Sequence, residues 1–438
     1  MKFNSQKIAI IGMWHQGVVG AACLAEIGHN IIGLDKDKKK IDKLNNGEAP
    51  LFEPKLDKLI QSGIKNNKLK FSHNLKSEIK KVRAIFIMFD IPVDENDKSD
   101  LSELKKTVKE ISPYIKSKTI VYITSQVPIG TCREIEETIN KINPKIEFDI
   151  AYSPENLRLG NAIELYKNPA LPLIGCSRIE TFDYLKEIFK PLETKWIHSS
   201  VKTAEMTKHA LNSFLALSIT FANELGNICD EYEADGHKIA EVLRLEPRVG
   251  KKAMIYPGLG FSGATLARDI QTLRSLSKKK KLNSFLIEGL WNSNLKHNDL
   301  IERKIIKIYK SLKNLPITVL GLTYKPDTST LRRSASISII KNLSKKGAII
   351  SGHDPKADRN DLKKLNFFKF HDDVYESIKS SKVVILVTPW EEYKNLDFDF
   401  IKKIMKQKPL ILDTNNLFDG DLIEAKGFFY QNIGTGRK

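Results

Sequence analysis

The chain has 438 residues, 41% hydrophobic and 28% charged, with 24 glycines and 17 prolines; that excludes both a single small module and a disordered chain and predicts two or three domains. The net charge is +18, but the lysines are spread along the whole chain, and the dense runs at 35–40 and 278–281 carry no interleaved aromatics, so they read as solvated surface rather than a nucleic-acid site. No apolar stretch approaches the roughly 18–20 residues of a membrane helix, and MKFNSQKIAIIG lacks the apolar core and cleavage site of a secretory signal; a cytoplasmic protein without membrane contact is expected.

In chain order, residues 7–12 (KIAIIG) read as a strand ending in glycine, 18–27 as a helix, and HNIIGLD as a second strand ending in Asp35. Such a strand–turn–helix–strand unit opens a parallel α/β domain. Further short apolar runs at 84–88, 120–123 and 148–152 continue it to about residue 200. From 201 to about 232 apolar residues recur with a period near 3.6, which predicts one long helix. More helix is expected over 238–243 and from 266 to about 306, with a glycine-rich loop at 256–263 between. After Pro316 the strand–helix alternation returns through ITVLGL, a helix from about Ser334, AIISGHDP, VVILVTPW and PLILDTNN. The expected fold class is α/β, with two Rossmann-like parallel-sheet domains joined by a long central helix, divided as 1–200, 201–299 and 300–438.

Gly12-Met-Trp14-His-Gln-Gly17 stands where a G-x-G-x-x-G phosphate loop belongs, with Asp35 18 residues beyond Gly17. Gly12 permits the tight turn, the helix N-terminus offers free N–H groups to a pyrophosphate, and Asp35 can accept from ribose hydroxyls. Trp14 takes the place of the glycine that normally lets the backbone approach the phosphates. Lys40, five residues after Asp35, softens the repulsion that Asp35 would exert on a 2′-phosphate. NAD is the expected cofactor. The four cysteines, Cys23, Cys132, Cys176 and Cys229, lie 44 or more residues apart, without the close pairing of a metal or disulfide framework. They read as buried thiols, and no metal site is expected.

Several segments carry a resemblance: LNNGEAPLFEP (44–54), SQVPIGT (125–131), YSPENLRLG (152–160), AEMTKHALNSF (204–214), GLGFSGATLARD (258–269), LGLTYKPDTSTLRRS (320–334) and IGTGR (433–437). In this order and at this spacing they resemble the UDP-glucose/GDP-mannose 6-dehydrogenase family, nearly end to end. The resemblance implies an NAD domain, a central dimerising helix and a C-terminal UDP-binding domain. It also implies oxidation of a nucleotide-sugar primary alcohol in two hydride transfers to NAD, in surface-polysaccharide biosynthesis, by a homodimer.

Carried over by residue, it implies that Glu155 activates water, that Lys208 and Asn212 contact the sugar and stabilise an oxyanion, and that Asp269 pairs with a catalytic water. Pro92, Gln126 and Arg332 join Gly12, Trp14, Gly17, Asp35 and Lys40 at the cofactor. Tyr256, Gly260, Phe261 and Lys325 belong to the nucleotide-sugar site, and Arg248 reaches the neighbouring subunit's substrate. A lysine and a carboxylate near a reacting alcohol can share proton removal, and a cation can hold a developing alkoxide.

The family's nucleophilic cysteine corresponds to Thr265. An alcohol, unlike a thiol, is neither ionised nor strongly nucleophilic near neutrality. Gln126, Leu159, Ser329, Thr330 and Asn415 also depart from the family pattern, while Arg268 keeps the charge of a lysine with other donor geometry. Two readings follow: a dehydrogenase making one or two hydride transfers without a thioester, or a catalytically silent binder of NAD or nucleotide sugar.

Overall fold

The computed structural model describes residues 4–94, 99–261, 265–331 and 334–437, and the chain divides after Leu211 into two compact units. The first unit is built on eight strands, β1 (Lys7–Ile11), β2 (Asn30–Leu34), β3 (Leu69–Ser72), β4 (Ala84–Ile87), β5 (Thr119–Ile123), β6 (Phe148–Tyr152), β7 (Leu173–Cys176) and β8 (Ile197–Ser199). Their spatial order is β3-β2-β1-β4-β5-β6-β7-β8. The central strands are apolar throughout because helices cover both faces of a parallel sheet and leave no wet side. Within β1, Ile8 and Ile10 enter one core while Ala9 and Ile11 enter the other. Strand order reverses at β1, which pairs with β2 on one flank and β4 on the other; the crevice at the carboxyl ends of these strands is where such sheets bind ligands.

The second unit carries β9 (Pro316–Leu320), β10 (Ile349–His353), β11 (Lys369–Phe370), β12 (Val383–Leu386), β13 (Leu410–Asp413) and β14 (Phe429–Asn432). They run in the order β11-β10-β9-β12-β13-β14, and the pairs are parallel. Several helices here start at an aspartate whose side chain accepts the first free N–H groups, as at Asp235, Asp358, Asp397 and Asp419, a cap worth about 1 kcal/mol each. The long helix is Val201–Tyr232, 32 residues, about 48 Å at 1.5 Å per residue. Two parallel-sheet α/β domains with a long central helix are therefore what the chain forms.

Local differences from the sequence reading have physical causes. The first helix is His15–Glu26 rather than 18–27, because Gly12 turns the chain at φ +101° and the helix starts at once. The helical stretch from 266 is three helices, Leu266–Lys279, Phe285–His297 and Leu300–Tyr309; Lys281 breaks the first two apart with φ +56°. Strand β7 pairs antiparallel with β6, since the intervening chain has only the short helix Ala162–Lys167 and makes no full crossover.

Within the second unit, residues 433–437 lie in a slot lined by glycine. A Cβ on Gly434 would meet Pro257 at 2.5 Å and the Gly226 Cα at 3.1 Å, and one on Gly436 would meet the Glu233 backbone at 2.6 Å. Gly236 N–H donates to Gly434 O (2.7 Å), Gly436 N–H to Asp230 Oδ1 (3.1 Å), and the His237 ring bonds Ile433 O (3.0 Å). The segment is thereby pinned to the far half of the long helix.

Candidate active site

The turn after β1 is shaped for close approach. Gly12 is left-handed, and a Cβ on Gly17 would stand 1.9 Å from the Gly12 carbonyl oxygen, so no larger residue fits where helix meets strand. Asp35 accepts from Met13 N–H (3.0 Å) and Lys40 Nζ (2.7 Å) on one oxygen and from Asp37 N–H (3.0 Å) on the other. Trp14 adopts φ −114°, a value open to any L-residue, and leaves its indole 47% exposed. A tight glycine turn, a helix start and an acid at the end of β2 fit the adenosine half of a dinucleotide. Gln126 is buried on the loop after β5. Pro92 is exposed on the loop after β4, where its carbonyl accepts from Asp100 N–H.

The loop after β6 carries Glu155, whose carboxylate accepts from the Leu157 N–H. Beside it Asn156 Oδ1 accepts from Lys208 Nζ at 2.7 Å, and Lys208 is only 5% exposed. Glu155 and Asn156 line a cavity of about 70 Å³ walled by Tyr122, Tyr166, Phe189 and Trp196. In the second unit, Asn212 donates to Asp269, which is fully buried and has the Arg268 guanidinium 4.0 Å away. Lys208 and Asn212 lie one turn apart on the same helix, so they share its face.

Phe261 is buried, and its backbone is bracketed by Asn294, which accepts from Phe261 N–H (2.9 Å) and donates to its carbonyl (3.1 Å). Gly260 has no room for a Cβ, which would meet Asn294 Oδ1 at 2.8 Å. Tyr256 accepts from Arg244 (2.7 Å) and stacks on His237. Thr265 is exposed just before the helix Leu266–Lys279 and makes no capping bond with its side chain. Arg248 is exposed and pairs with Glu246 at 2.9 Å. Lys325 is exposed in the turn after β9. Arg332 lies outside the described residues.

All four cysteines are buried and unpaired. Burial pushes the Cys23 thiol up to about 12 and Cys176 to about 11. Cys132 is raised well above the usual range by burial and then by the Glu205 carboxylate, and Cys229 is raised chiefly by burial. Thiols so held are poor nucleophiles, and none of the four lines the cavity beside Glu155.

Other residues that hold the site escaped the sequence reading. Glu53, 5% exposed, accepts from Gly160 and Ala162 N–H, both at 2.8 Å, and faces His15 Nε2 at 3.5 Å. Glu205, 1% exposed, accepts from Gly130 (2.7 Å) and Cys132 (2.9 Å) N–H, holding the loop of Gln126 against the long helix. Both lie inside quoted segments, LNNGEAPLFEP and AEMTKHALNSF. In the second unit Asp354, at the end of β10, repeats the place of Asp35, but one of its oxygens accepts from Leu322 N–H, Thr323 N–H and the Trp390 indole. That carboxylate is consumed by its own fold.

A glycine-turned βαβ opening, an acid at the end of β2 and a second parallel sheet define a dinucleotide-binding protein of two Rossmann-like domains. The sequence matches the UDP-glucose/GDP-mannose dehydrogenase family in three parts: the NAD binding domain over residues 6–193, the central domain over 202–296 and the UDP binding domain over 318–420. It is 32% identical over 435 residues to UDP-glucose 6-dehydrogenase of Rhizobium meliloti (strain 1021) and 34% identical over 435 residues to that of Rickettsia bellii (strain RML369-C), each alignment covering 98% of this chain and 99% of the relative. The chain belongs to the UDP-glucose/GDP-mannose dehydrogenase family, and its cofactor is NAD. Its fold is shared with a UDP-glucose dehydrogenase from Pyrobaculum islandicum (TM-score 0.86, 23% identity, 98% of both chains). It is likewise shared with an NDP-N-acetyl-D-galactosaminuronic acid dehydrogenase from Methanosarcina mazei Go1 (TM-score 0.88, 21% identity, 99% and 96% of the chains).

Proposed function

We propose that this chain oxidises the primary alcohol of a UDP-glucose-like nucleotide sugar, in nucleotide-sugar supply for surface polysaccharide. The observation that carries the reading is the contact of the buried Lys208 with Asn156, beside Glu155 in the first unit. Bound NAD supplies the hydride acceptor. Lys208, held by Asn156, presents a cation to the alkoxide as the alcohol proton leaves, and the family resemblance gives Asn212 the role of a neutral donor. Asp269 takes the alcohol proton through water, and Glu155 serves as base for water adding to the aldehyde. Tyr256, Gly260, Phe261 and Lys325 bind the nucleotide sugar, and Pro92, Gln126 and Arg332 the cofactor.

The reaction proceeds without a thioester. This rests on the resemblance that sets Thr265 at the nucleophile's place and is supported by the burial and raised pKa values of all four thiols. Incubation with UDP-, GDP-, TDP- and CDP-sugars and NAD, with NADH and product both followed, tests it. About one NADH per sugar with an aldehyde marks a single oxidation. Two with a carboxylate mark oxidation of the hydrated aldehyde, which Glu155→Gln then abolishes. Iodoacetamide leaves the natural enzyme active; inactivation by it would refute the thiol-free route. No NADH from any sugar would leave the chain a silent binder.

The active form is a homodimer across the long helix. Phe214, Phe221 and Ile228, seven residues apart, are 66%, 53% and 56% exposed, an apolar stripe that a monomer would leave in water. Exposed Arg248 then completes the neighbour's substrate site. Light scattering of the protein and of Phe221→Asp checks this, the variant being monomeric.

A further inference from the structure

In the second unit, the far half of the long helix, the helix Leu300–Tyr309 and the edge strand β14 border a cleft of about 460 Å³. Leu300, Arg303, Lys304 and Lys307 line it at the spacing of a single helix face, so three cations of one helix turn into it together. Lys296, from the last turn of the helix Phe285–His297, and Arg437 bring the basic side chains to five, against the two carboxylates of Asp230 and Glu231. Pairing leaves cations over. Lys304, 9% exposed, bonds Asp230 Oδ2 at 2.7 Å, and the other Asp230 oxygen accepts from Gly436 N–H. Lys307 meets Glu231 at 3.4 Å, and Arg437 turns to Asp421 (2.6 Å) and Glu424 (3.0 Å). Arg303 donates to the Lys296 carbonyl oxygen at 2.9 Å, and neither side chain forms an ion pair among the described residues.

The wall that β14 supplies is different in kind. Alternation along the strand sends Tyr430 into the core on one face and Gln431 to the other, where it lines the cleft. Gln431 is 6% exposed, and its Oε1 is buried with no hydrogen-bond partner among the described residues. Folded chains rarely leave a buried amide unmet, and an amide offers a donor and an acceptor side by side. Cations by themselves take any anion; a buried amide beside them selects a ligand that carries hydroxyl groups as well.

We propose that this cleft binds a phosphorylated sugar, free or as part of a nucleotide: Arg303 and Lys296 hold the phosphate, and the Gln431 amide bonds a sugar hydroxyl. The planar fork of the guanidinium matches two phosphate oxygens, and the cleft is of the size that small-molecule sites have. It shares no residue with Tyr256, Gly260, Phe261 and Lys325, so it is a second site, apart from that of the nucleotide sugar to be oxidised. The proposal does not depend on the oxidation reading.

The test is calorimetric titration of the full chain with glucose 1-phosphate, UMP and inorganic phosphate, repeated on Arg303→Ala, Gln431→Leu and Lys325→Ala. At least one of the two organic phosphates is expected to bind the natural protein more tightly than inorganic phosphate does; binding of glucose 1-phosphate marks a free sugar phosphate as the ligand, and binding of UMP without it marks a nucleotide. Arg303 is exposed, so Arg303→Ala keeps the natural melting temperature while weakening that binding at least tenfold. Gln431→Leu removes the preference over inorganic phosphate, and Lys325→Ala leaves binding at the cleft unchanged. Should Gln431→Leu fail to fold, Arg303→Ala still decides. Absence of binding by both organic phosphates would overturn the proposal, and so would inorganic phosphate binding as tightly as either, the mark of an adventitious ion only. Loss of binding in Lys325→Ala with none in Arg303→Ala would also overturn it, because the ligand would then lie in the nucleotide-sugar site.

Discussion

Glu53 offers a sharp test of how the Glu155 loop is held. Its two oxygens each accept one backbone N–H at 2.8 Å, from Gly160 and Ala162, at the end of the loop that carries Glu155 and Asn156. Replacement by alanine leaves both donors without their partner. A hydrogen bond to a charged group contributes about 1.5–3 kcal/mol, so the gross loss is about 3–6 kcal/mol. Part is recovered because a carboxylate is no longer held out of water, which leaves a net cost of about 3 kcal/mol. For a unit of roughly 200 residues this lowers the melting temperature by about 6–12 °C. Glu53→Gln keeps the shape but turns an amide NH₂ toward one N–H, and should fall between alanine and the natural residue. Differential scanning calorimetry gives the first number and NADH formation at 20 °C the second, with turnover falling at least tenfold in Glu53→Ala as Glu155 loses its position. A melting shift under 2 °C, or full turnover in a clearly destabilised variant, would refute the argument.

Gly17→Ala sets a Cβ 1.9 Å from the Gly12 carbonyl oxygen, and backbone cannot give way as a side chain does; NAD affinity in calorimetry should fall at least tenfold, with a lower melting temperature. Asp35, with Lys40 and Met13 on one oxygen, disfavours a 2′-phosphate, so NADP should bind at least tenfold more weakly than NAD and Asp35→Ser should narrow the gap; equal affinities in the natural protein would contradict this. His29 is fully buried, accepts from Gln6 N–H at 3.0 Å and bonds Ile188 O at 2.8 Å, and burial holds its pKa below 6.5. Unfolded chains take up that proton first, so stability is full above about pH 6.5 and is lost as pH falls toward the lower folded value; His29→Gln should flatten the melting-temperature profile in that window.

What the sequence disclosed was local. Strand, glycine turn and helix at residues 7–26 follow one another, and the spacing from Gly17 to Asp35 is a property of a single βαβ unit. The helix Val201–Tyr232 was visible because its apolar residues keep one period across its whole length. What stayed hidden was distant in sequence. Glu53 meets its donors 107 and 109 residues away, Glu205 at 75 and 73, and Asn156 meets Lys208 at 52. No window on the chain contains both partners. Short edge strands such as β8, with its exposed IHS pattern, gave no periodic signal, and the antiparallel turn into β7 depends on how far a link reaches rather than on its residue types.

The glycine slot of residues 433–437 bears on the order of synthesis. Asp230 accepts the Gly436 N–H across 206 residues, and the His237 ring bonds the Ile433 carbonyl oxygen across 196. At about 5–20 residues per second, some 200 residues take about 10–40 s to emerge, so the far half of the long helix waits that long for the segment 433–437. During that wait the slot beside Gly226, Glu233 and Gly236 that residues 434–436 fill stands open. The first sheet, complete by β8, can close while the rest is still on the ribosome. A pause in translation late in the message would therefore harm the second unit and spare the first.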